Sequence, residues 1–502
     1  MLENNLDISN KLSFKLASGA LYTYTSLVLL KVFLLVNSII VARWLGPNNL
    51  GIYSILIQIQ GLVITFGLFG IPISVSKFIA EYSKKDRSAL QNIVSSLMTF
   101  SLVISIIIAI PFFMSSDFLA TKIYKEPTLK LLIRISSFTI FISLLNNFYK
   151  AIMQGFQKIE SLARINVVVG LVSVVITFLL VFKMNLQGVA IRDLVIAIIS
   201  IISLWALLNK TVFSTGVRIK LKIDKDILLK IFIFALPLFI SSIIIYGGNL
   251  FIRSHLVVKC GFDKSGLFSI ADNFFQIIYF IPQAIAIPFL PIITRMYSYD
   301  FENFSKNASR VVKLTGFLVL PIAVILGIFS KDVISLLYGK SYFESWLVSF
   351  LVIFAGAMVS PGYVLGQALI AAGRSRQILG LSLVQVLVNV SISYYMINLL
   401  GLTGLGIAFL IINVFNYFLS GTYSIIKLKL KFKDMSFGIF QLLVLLFGVV
   451  SYFITSRTTG IFFTVSSIIT VITLLLVEYL LLSKEDKVQL YGIINNLIKI
   501  KV

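Results

Sequence analysis

Three charged residues lie inside long apolar stretches of this sequence, where a charge has little water to solvate it. Lys31 is surrounded by leucine, valine and phenylalanine, and no carboxylate lies within two helical turns of it in the sequence. Because an intramembrane charge is costly, each one indicates a partner from another segment, a water-filled path or an anionic ligand. We therefore predict an anion-binding role for Lys31, with snorkelling of its long side chain to the interface as the alternative.

The other two charges, Arg253 and Asp272, are equally distant from a turn near residues 262–263. Equal distance from the turn means equal depth in an antiparallel helix pair, so the spacing predicts an ion pair if the helix faces agree. A guanidinium fork is well suited to phosphate or pyrophosphate. Two interpretations stay open: a structural tie, or a switchable pair in which an anionic ligand or a proton on Asp272 releases Arg253.

Four further charged residues occur near the ends of apolar stretches. Arg134 and Arg192 are candidates for binding an anionic ligand in the outer half of the molecule, and interfacial anchoring is the alternative. Lys77 and Glu81 are four residues apart, which on a helix predicts a local ion pair or a capping contact at the helix end.

Composition identifies the setting of these charges. Of 502 residues, 58% are hydrophobic and 13% charged, and the mean hydropathy is +1.00. Apolar runs of about 20 residues recur, each long enough to cross a bilayer. A single cysteine, Cys260, and a single histidine, His255, exclude an intrachain disulfide and a zinc site built on those residues. No catalytic or nucleotide-binding motif is found, so we expect neither an enzyme nor a cofactor beyond a coupling ion such as H⁺ or Na⁺.

The apolar pattern predicts fourteen membrane spans. Most of the 43 lysines and arginines fall in loops on the amino-terminal side, so both termini are predicted to be cytoplasmic. The net charge of +23 is explained by this topology, and we expect no nucleic-acid partner. The predicted spans cover residues 13–42, 50–80, 89–114, 128–150, 164–182, 188–208, 231–258, 265–294, 314–329, 345–372, 377–399, 403–426, 436–456 and 459–482.

A sequence repeat explains how these spans are organised. The stretch LGPNNLGIYSI, residues 45–55, which we call the first outer turn, is echoed by CGFDKSGLFSI, residues 260–270, the second outer turn; Gly46 and Gly261 give a shift of 215. Two shorter echoes have nearly the same shift: Ile-Tyr-Lys at 123–125 with Leu-Tyr-Gly at 337–339, and LQGVAI at 186–191 with LTGLGI at 402–407. Six spans separate the copies, so the two halves keep one orientation in the membrane.

We therefore predict an all-α polytopic membrane protein with about fourteen transmembrane helices, in two parallel-repeat six-helix lobes plus two C-terminal helices. The predicted domains are residues 1–215, 216–434 and 435–502, with an inter-lobe linker near 209–230. Two such lobes enclose a cleft, and rocking one lobe against the other opens it to alternate sides.

The residues also resemble a known family. The block ARWLGPNNLGIYS at 42–54, the segment GIPISVSKFIAEY at 70–82, ALPLFISSIIIYGGNLFI at 235–252 and QALIAAGRSRQ at 367–377 are similar to the polysaccharide repeat-unit flippases. That family is the polysaccharide transporter branch of the multidrug/oligosaccharidyl-lipid/polysaccharide flippase superfamily. The likeness extends over about the whole chain.

The resemblance implies transfer of a polyprenyl-(pyro)phosphate-linked oligosaccharide from the cytoplasmic to the outer leaflet of the cell membrane. It also implies glycan polymerases or glycosyltransferases as partners, beside the membrane lipid itself. The alternatives are a lipid II-type flippase, a multidrug or cation antiporter of the same superfamily and, as an enzyme, a membrane-embedded glycan polymerase. The excess of basic over acidic residues in the spans favours an anionic cargo, and the absence of long outer loops disfavours the polymerase.

Overall fold

The described part of the protein is helical. The computed structural model describes residues 2–72, 74–75, 79, 87–212, 224–299, 301–372, 375–428 and 437–482, and no strand occurs among them. Helices are the expected element because lipid offers no hydrogen-bond partner to the backbone. The helices are α1 (Leu2–Leu68), α2 (Arg87–Met114), α3 (Thr128–Gly155), α4 (Ile159–Thr211), α5 (Lys225–Cys260), α6 (Phe262–Tyr299), α7 (Phe301–Ile328), α8 (Ser330–Leu337), α9 (Trp346–Ala371), α10 (Ser375–Leu428), α11 (Phe437–Arg457) and α12 (Gly460–Leu481), with a π-helical turn at Phe118–Ile123 and a 3₁₀ turn at Lys340–Ser345.

Three of these helices each continue from one predicted span into the next through one residue with positive φ, although α1 ends at Leu68, where a turn at Phe69 and Gly70 interrupts the predicted span 50–80. The breaks are at Gly46 (φ 71°, ψ 172°) in α1, Asn185 (φ 51°, ψ −124°) in α4 and Gly401 (φ 58°, ψ −129°) in α10. When these helices are divided at the breaks and the short α8 is set aside, the described residues form fourteen long segments, in agreement with the predicted spans.

Length and composition support the membrane assignment independently. Eight helical stretches of the described residues are long and apolar enough to cross a membrane, or nine if the bent pair Ile231–Pro237 and Phe239–Cys260 is one span. Three of the eight each overlap two predicted spans. Large apolar side chains are exposed on many of these helices, as expected of surfaces that face lipid. The predicted all-α, multi-span fold is confirmed.

The sequence repeat is also a repeat of backbone geometry. The breaks at Asn185 and Gly401 have nearly the same φ and ψ and are 216 residues apart, which is the shift of the echo that follows them. The two helical segments on either side of each break approach so closely that a Cβ on Gly188 would overlap the Leu180 carbonyl oxygen, and a Cβ on Gly404 the Met396 carbonyl oxygen. The repeat therefore reproduces the turn and the helix contact beside it.

The chain divides into two compact units. The first consists of Met1–Asn273 with Ser375–Ala408, and its core joins α2, α3 and α4 through fully buried residues such as Leu97, Phe148 and Leu204. The second consists of Phe274–Arg374 with Phe409–Val502, where α7 packs against α9, α11 and α12.

The predicted domain boundaries at residues 215/216 and 434/435 remain predictions. Residues 213–223 of the predicted linker and the loop 429–436 lie outside the described residues, and the compact units divide the chain at other positions.

Candidate functional site

The first unit contains a cavity of about 730 Å³, which we call the main cavity. It is formed by α1, α3 and α4 together with the ends of α5 and α6 that flank the second outer turn. Such a density of amides, hydroxyls and charges inside a membrane bundle indicates a wet, ligand-binding space. Its polar lining residues are Asn37, Ser38, Tyr53, Ser54, Gln58, Gln60, Thr139, Ser143, Asn146, Asn147, Lys150, Asn166, Ser173, Arg192, Asp193, Ser200, Arg253, Ser269, Asp272 and Asn273.

Arg253 and Asp272 face each other in this cavity, as their equal depth predicts. Arg253 Nη2 lies 3.9 Å from Asp272 Oδ2. The buried guanidinium also donates from Nη1 to the Ser265 carbonyl oxygen at 3.1 Å and to Ser269 Oγ at 3.4 Å, and it lies 4.6 Å from the centre of the Phe268 ring. The helix hairpin around the second outer turn therefore supplies every one of these contacts.

The geometry of this pair leaves room for a ligand. A separation of 3.9 Å is longer than a hydrogen bond, and the Asp272 side chain is 38% exposed whereas that of Arg253 is 7% exposed. An anion that reaches the guanidinium would replace a loose contact, not a tight bidentate one. The structural tie and the switchable pair both remain predictions.

Arg192 also lines the main cavity but has several close partners. Its Nε and Nη2 donate to Asp193 Oδ1 at 3.0 and 2.6 Å, and Nη2 donates to the Tyr53 hydroxyl at 2.7 Å. The Tyr53 hydroxyl in turn donates to Asp193 Oδ2 at 2.9 Å. This closed network connects α1 to α4, so Arg192 is placed to hold the cavity wall, and its predicted role in binding an anion remains a prediction.

The other predicted site residues lie elsewhere. Lys31 is half-buried and is not among the residues that line the main cavity, although its neighbour Leu30 is. Arg134 is exposed, with Nε 3.3 Å from Ser116 Oγ and the guanidinium 5.4 Å from the Phe113 ring centre. Their helix faces separate both residues from the cavity.

Lys77 and Glu81, the predicted helix-end pair, lie outside the described residues. His255 is half-buried, with Nε2 3.2 Å from Asn398 Oδ1 and its ring 4.4 Å from that of Tyr394. It lies outside the main cavity lining.

Sequence reasoning missed Lys150, which lines the main cavity from near the C-terminal end of α3. The residue is half-buried and stands at the last position of a predicted span, where a lysine is ordinarily assigned to the interface. The available signal was its spacing: Ser143, Asn147, Lys150 and Gln154 recur at intervals of three or four and form one polar stripe on an apolar helix.

Several cavity amides are already engaged in joining helices. Asn37 Nδ2 donates to Ser173 Oγ at 2.7 Å, and its Oδ1 accepts from Thr177 Oγ1 at 2.6 Å. Gln60 Nε2 donates to Ser136 Oγ at 2.6 Å. By contrast, Asn146 donates to the Ala197 carbonyl oxygen at 3.1 Å while its own buried Oδ1 has no partner among the described residues, so it can still accept from a ligand hydroxyl.

The two outer turns are packed against each other within the first unit. A Cβ on Gly51 would overlap the Phe262 carbonyl oxygen, and a Cβ on Gly266 would overlap the Pro47 carbonyl oxygen. Pro47 and Phe262 are matching positions of the repeat, and so are Gly51 and Gly266. Each turn therefore contacts the other through the same pair of positions. Ser54 Oγ and Ser265 Oγ are 2.9 Å apart beside it.

A second contact supports this closure of the turns. The Tyr124 hydroxyl, in the loop before α3, lies 2.8 Å from Ser254 Oγ on α5. Burial raises the pKa of Tyr124, so its hydroxyl remains protonated at neutral pH and keeps this hydrogen bond.

Known proteins that resemble this chain are named for polysaccharide biosynthesis and O-antigen transport. A sequence profile of the family described as "Polysaccharide biosynthesis protein" matches residues 40–347. A Shigella flexneri protein named "Putative O-antigen transporter" is 23% identical over 385 residues, which cover 73% of this chain and 87% of that protein. The Staphylococcus aureus "Capsular polysaccharide biosynthesis protein CapF" is 26% identical over 256 residues, which cover 50% of this chain and 64% of that protein.

A solved structure has the same fold. The structure described as "Lipid II flippase MurJ, inward closed conformation" superposes with a TM-score of 0.71 at 15% identity, covering 91% of this chain and 97% of that one. At this identity the likeness concerns the fold alone.

Proposed function

The chain belongs to the polysaccharide biosynthesis protein family. We propose that it is a flippase of the multidrug/oligosaccharidyl-lipid/polysaccharide flippase superfamily whose cargo is a polyprenyl-(pyro)phosphate-linked oligosaccharide repeat unit. The direction proposed is from the cytoplasmic to the outer leaflet, with both termini cytoplasmic. Glycosyltransferases that build the unit and a polymerase that extends it are the partners that this cargo would require.

The observation that supports this cargo best is the main cavity with Arg253 at its wall. A lipid-linked sugar can leave its hydrocarbon in the bilayer, while the sugars and phosphate need a polar path. The cavity provides amides and hydroxyls for sugars, and Arg253, whose carboxylate partner is 3.9 Å away, for phosphate. A drug carrier for organic cations would instead need uncompensated carboxylates, and both acidic residues in the lining, Asp193 and Asp272, have an arginine beside them.

Ion coupling is part of the same proposal. Protonation of Asp272, or a sodium ion bound to it, would remove the negative charge that faces Arg253 and release the guanidinium for phosphate. The membrane potential would also drive the anionic head group outward, which is the proposed direction of transport.

The test measures movement of a fluorescent polyprenyl pyrophosphate-linked oligosaccharide across vesicles that contain the purified protein. We expect wild type to move it and Arg253→Ala to be slowed by about tenfold or more, since one charge-assisted hydrogen bond contributes about 1.5–3 kcal/mol. Arg134→Ala is the matched control, because it removes an exposed arginine outside the main cavity.

Lys31→Ala tests whether Lys31 binds the anion, as the sequence predicts, or lies away from the anion site, as the structure indicates. Because Lys31 does not line the main cavity, a smaller loss than that of Arg253→Ala is expected. The cargo assignment would be refuted by wild-type protein that moves a cationic dye but not the oligosaccharide. Full activity of Arg253→Ala would remove the anion site.

A further inference from the structure

A second, smaller chamber adjoins the main cavity in the first unit. This side chamber has a volume of about 370 Å³ and is bounded by α1, α3 and the start of α4. Leu30, Lys150 and Asn166 line both spaces, so these three residues mark the junction between them. The chamber lies beside the short connection between α3 and α4, on the side predicted to be cytoplasmic.

The balance of charge singles out Lys150 at this junction. Three cations line the two spaces, and two of them, Arg192 and Arg253, have a carboxylate at 2.6 and 3.9 Å respectively. Lys150 has no carboxylate of the described residues within ion-pair distance. Among the described lining residues, the uncompensated positive charge is therefore that of Lys150, and an anion entering the cavity would be attracted there first.

The wall of the side chamber combines apolar residues with four polar ones, Ser26, Lys150, Gln154 and Asn166. Leu27, Leu30, Ile159 and Leu162 make most of it apolar. Ile159 is 50% exposed, so the apolar wall continues to the molecular surface. An apolar groove that ends at one ammonium group matches a hydrocarbon chain that ends in phosphate.

We propose that this junction is an entry site for an alkyl phosphate, with the phosphate at Lys150 and the adjoining hydrocarbon along the side chamber. The inference rests on the proposed function and adds a step to it: the phosphate of the lipid-linked cargo binds Lys150 before it reaches Arg253. Both side chains line the main cavity, so the phosphate can pass between them within one continuous space.

The experiment measures binding of farnesyl phosphate to the full-length protein in detergent, with farnesol and inorganic phosphate as partial probes. Lys150→Gln should weaken farnesyl phosphate binding by about tenfold or more, because a charge-assisted contact is lost, and Lys150→Arg should retain it. Lys158→Gln is the matched control, since Lys158 is exposed at the α3–α4 connection and lines neither space.

A second variant tests the hydrocarbon part of the site without touching the charge. Ala163→Phe fills the side chamber and should weaken farnesyl phosphate and farnesol alike, whereas inorganic phosphate binding should not change. Affinity for farnesyl phosphate equal to wild type in both Lys150→Gln and Ala163→Phe would overturn the inference.

Two further outcomes are informative. The first identifies the source of the ligand, and the second distinguishes failure of the proposed function from failure of this site. If dioctanoyl phosphatidate competes as well as farnesyl phosphate, the site binds bulk phospholipid and its assignment to cargo entry is overturned. If Lys150-dependent binding is found but wild-type protein moves no oligosaccharide across vesicles, the proposed cargo fails while the alkyl phosphate site stands.

Discussion

Replacing Gly51 by alanine tests whether the contact between the two outer turns holds them together. In the structure, Gly51 packs directly on the backbone of Phe262, and its repeat counterpart Gly266 packs on that of Pro47. With the predicted topology, a cavity open to the outer side requires these turns to separate, so a side chain placed in the contact should favour the separated arrangement.

The size of the perturbation follows from the geometry. A Cβ on Gly51 would lie 2.5 Å from the Phe262 carbonyl carbon, so the turn must retreat by at least about 1 Å to reach an ordinary carbon–carbon contact. Neither backbone can rotate out of the way as a side chain could. Overpacking of this kind costs about 1–3 kcal/mol.

The single cysteine provides the assay without an engineered label. Cys260 is the first residue of the second outer turn, immediately before Gly261, and is half-buried. Its Sγ lies 3.2 Å from the position that a Cβ on Gly401 would occupy. Since 1.4 kcal/mol changes an equilibrium tenfold, labelling of Cys260 through the separated state should accelerate by about tenfold in Gly51→Ala. The reagent is a membrane-impermeant maleimide added to intact cells.

A control and a refuting result complete this experiment. Gly247→Ala adds the same methyl group on α5, where nothing lies within 4 Å of the new Cβ among the described residues, and should leave the labelling rate unchanged. Equal labelling rates in wild type and Gly51→Ala would refute the reasoning that this contact closes the outer side. Labelling only after the cells are opened would refute the predicted topology.

Three other outcomes are expected. Arg192→Ala should lower the stability of the detergent-solubilised protein by about 3 kcal/mol, because it leaves the half-buried Asp193 carboxylate without its arginine; a melting temperature equal to wild type would contradict this. Exchange of charges in the double variant Arg253→Asp with Asp272→Arg should restore folding but not transport, and recovery of both would make the pair a structural tie. Hydrogen bonding and charge from Lys130 hold the pKa of Asp117 below its usual range, so the small stabilisation is present at neutral pH and lost as pH falls through that pKa. The difference in melting temperature between wild type and Asp117→Asn should shrink in acid, and a difference that grows would contradict the pairing.

The elements that the sequence predicted best are those fixed by chain connectivity. Arg253 and Asp272 face each other because a hairpin forces two residues at equal distance from its turn to equal depth. The three echoes recur as three pairs of matching backbone turns, including the positive φ at Lys125 and Gly339, because a turn depends on a few neighbouring residues. These features need no knowledge of which way a helix is rotated.

Helix rotation explains what the sequence could not provide. Lys31 stands in a helix that is apolar on all sides, so hydropathy does not reveal which face lines the cavity, and the structure puts Leu30, Leu34 and Asn37 there instead. Lys150 was overlooked for the opposite reason. A lysine at the end of a span has a sufficient explanation at the interface, and only the polar stripe before it distinguishes the two cases.

The main cavity is built from matching positions of the repeat whose chemistry has diverged. Arg253 and Asp272 correspond, at the shift of 215, to Ser38 and Ile57, and all four residues line the cavity. A duplicated fold alone would give a cavity with the same groups on either side of its axis. Because only one copy carries the charged pair, an anion would have one preferred side in this cavity, and the sugars of the proposed cargo would extend toward the hydroxyls and amides of the first copy. The duplication thus accounts for the two turns that pack together, whereas the orientation of a bound head group depends on the positions where the copies differ.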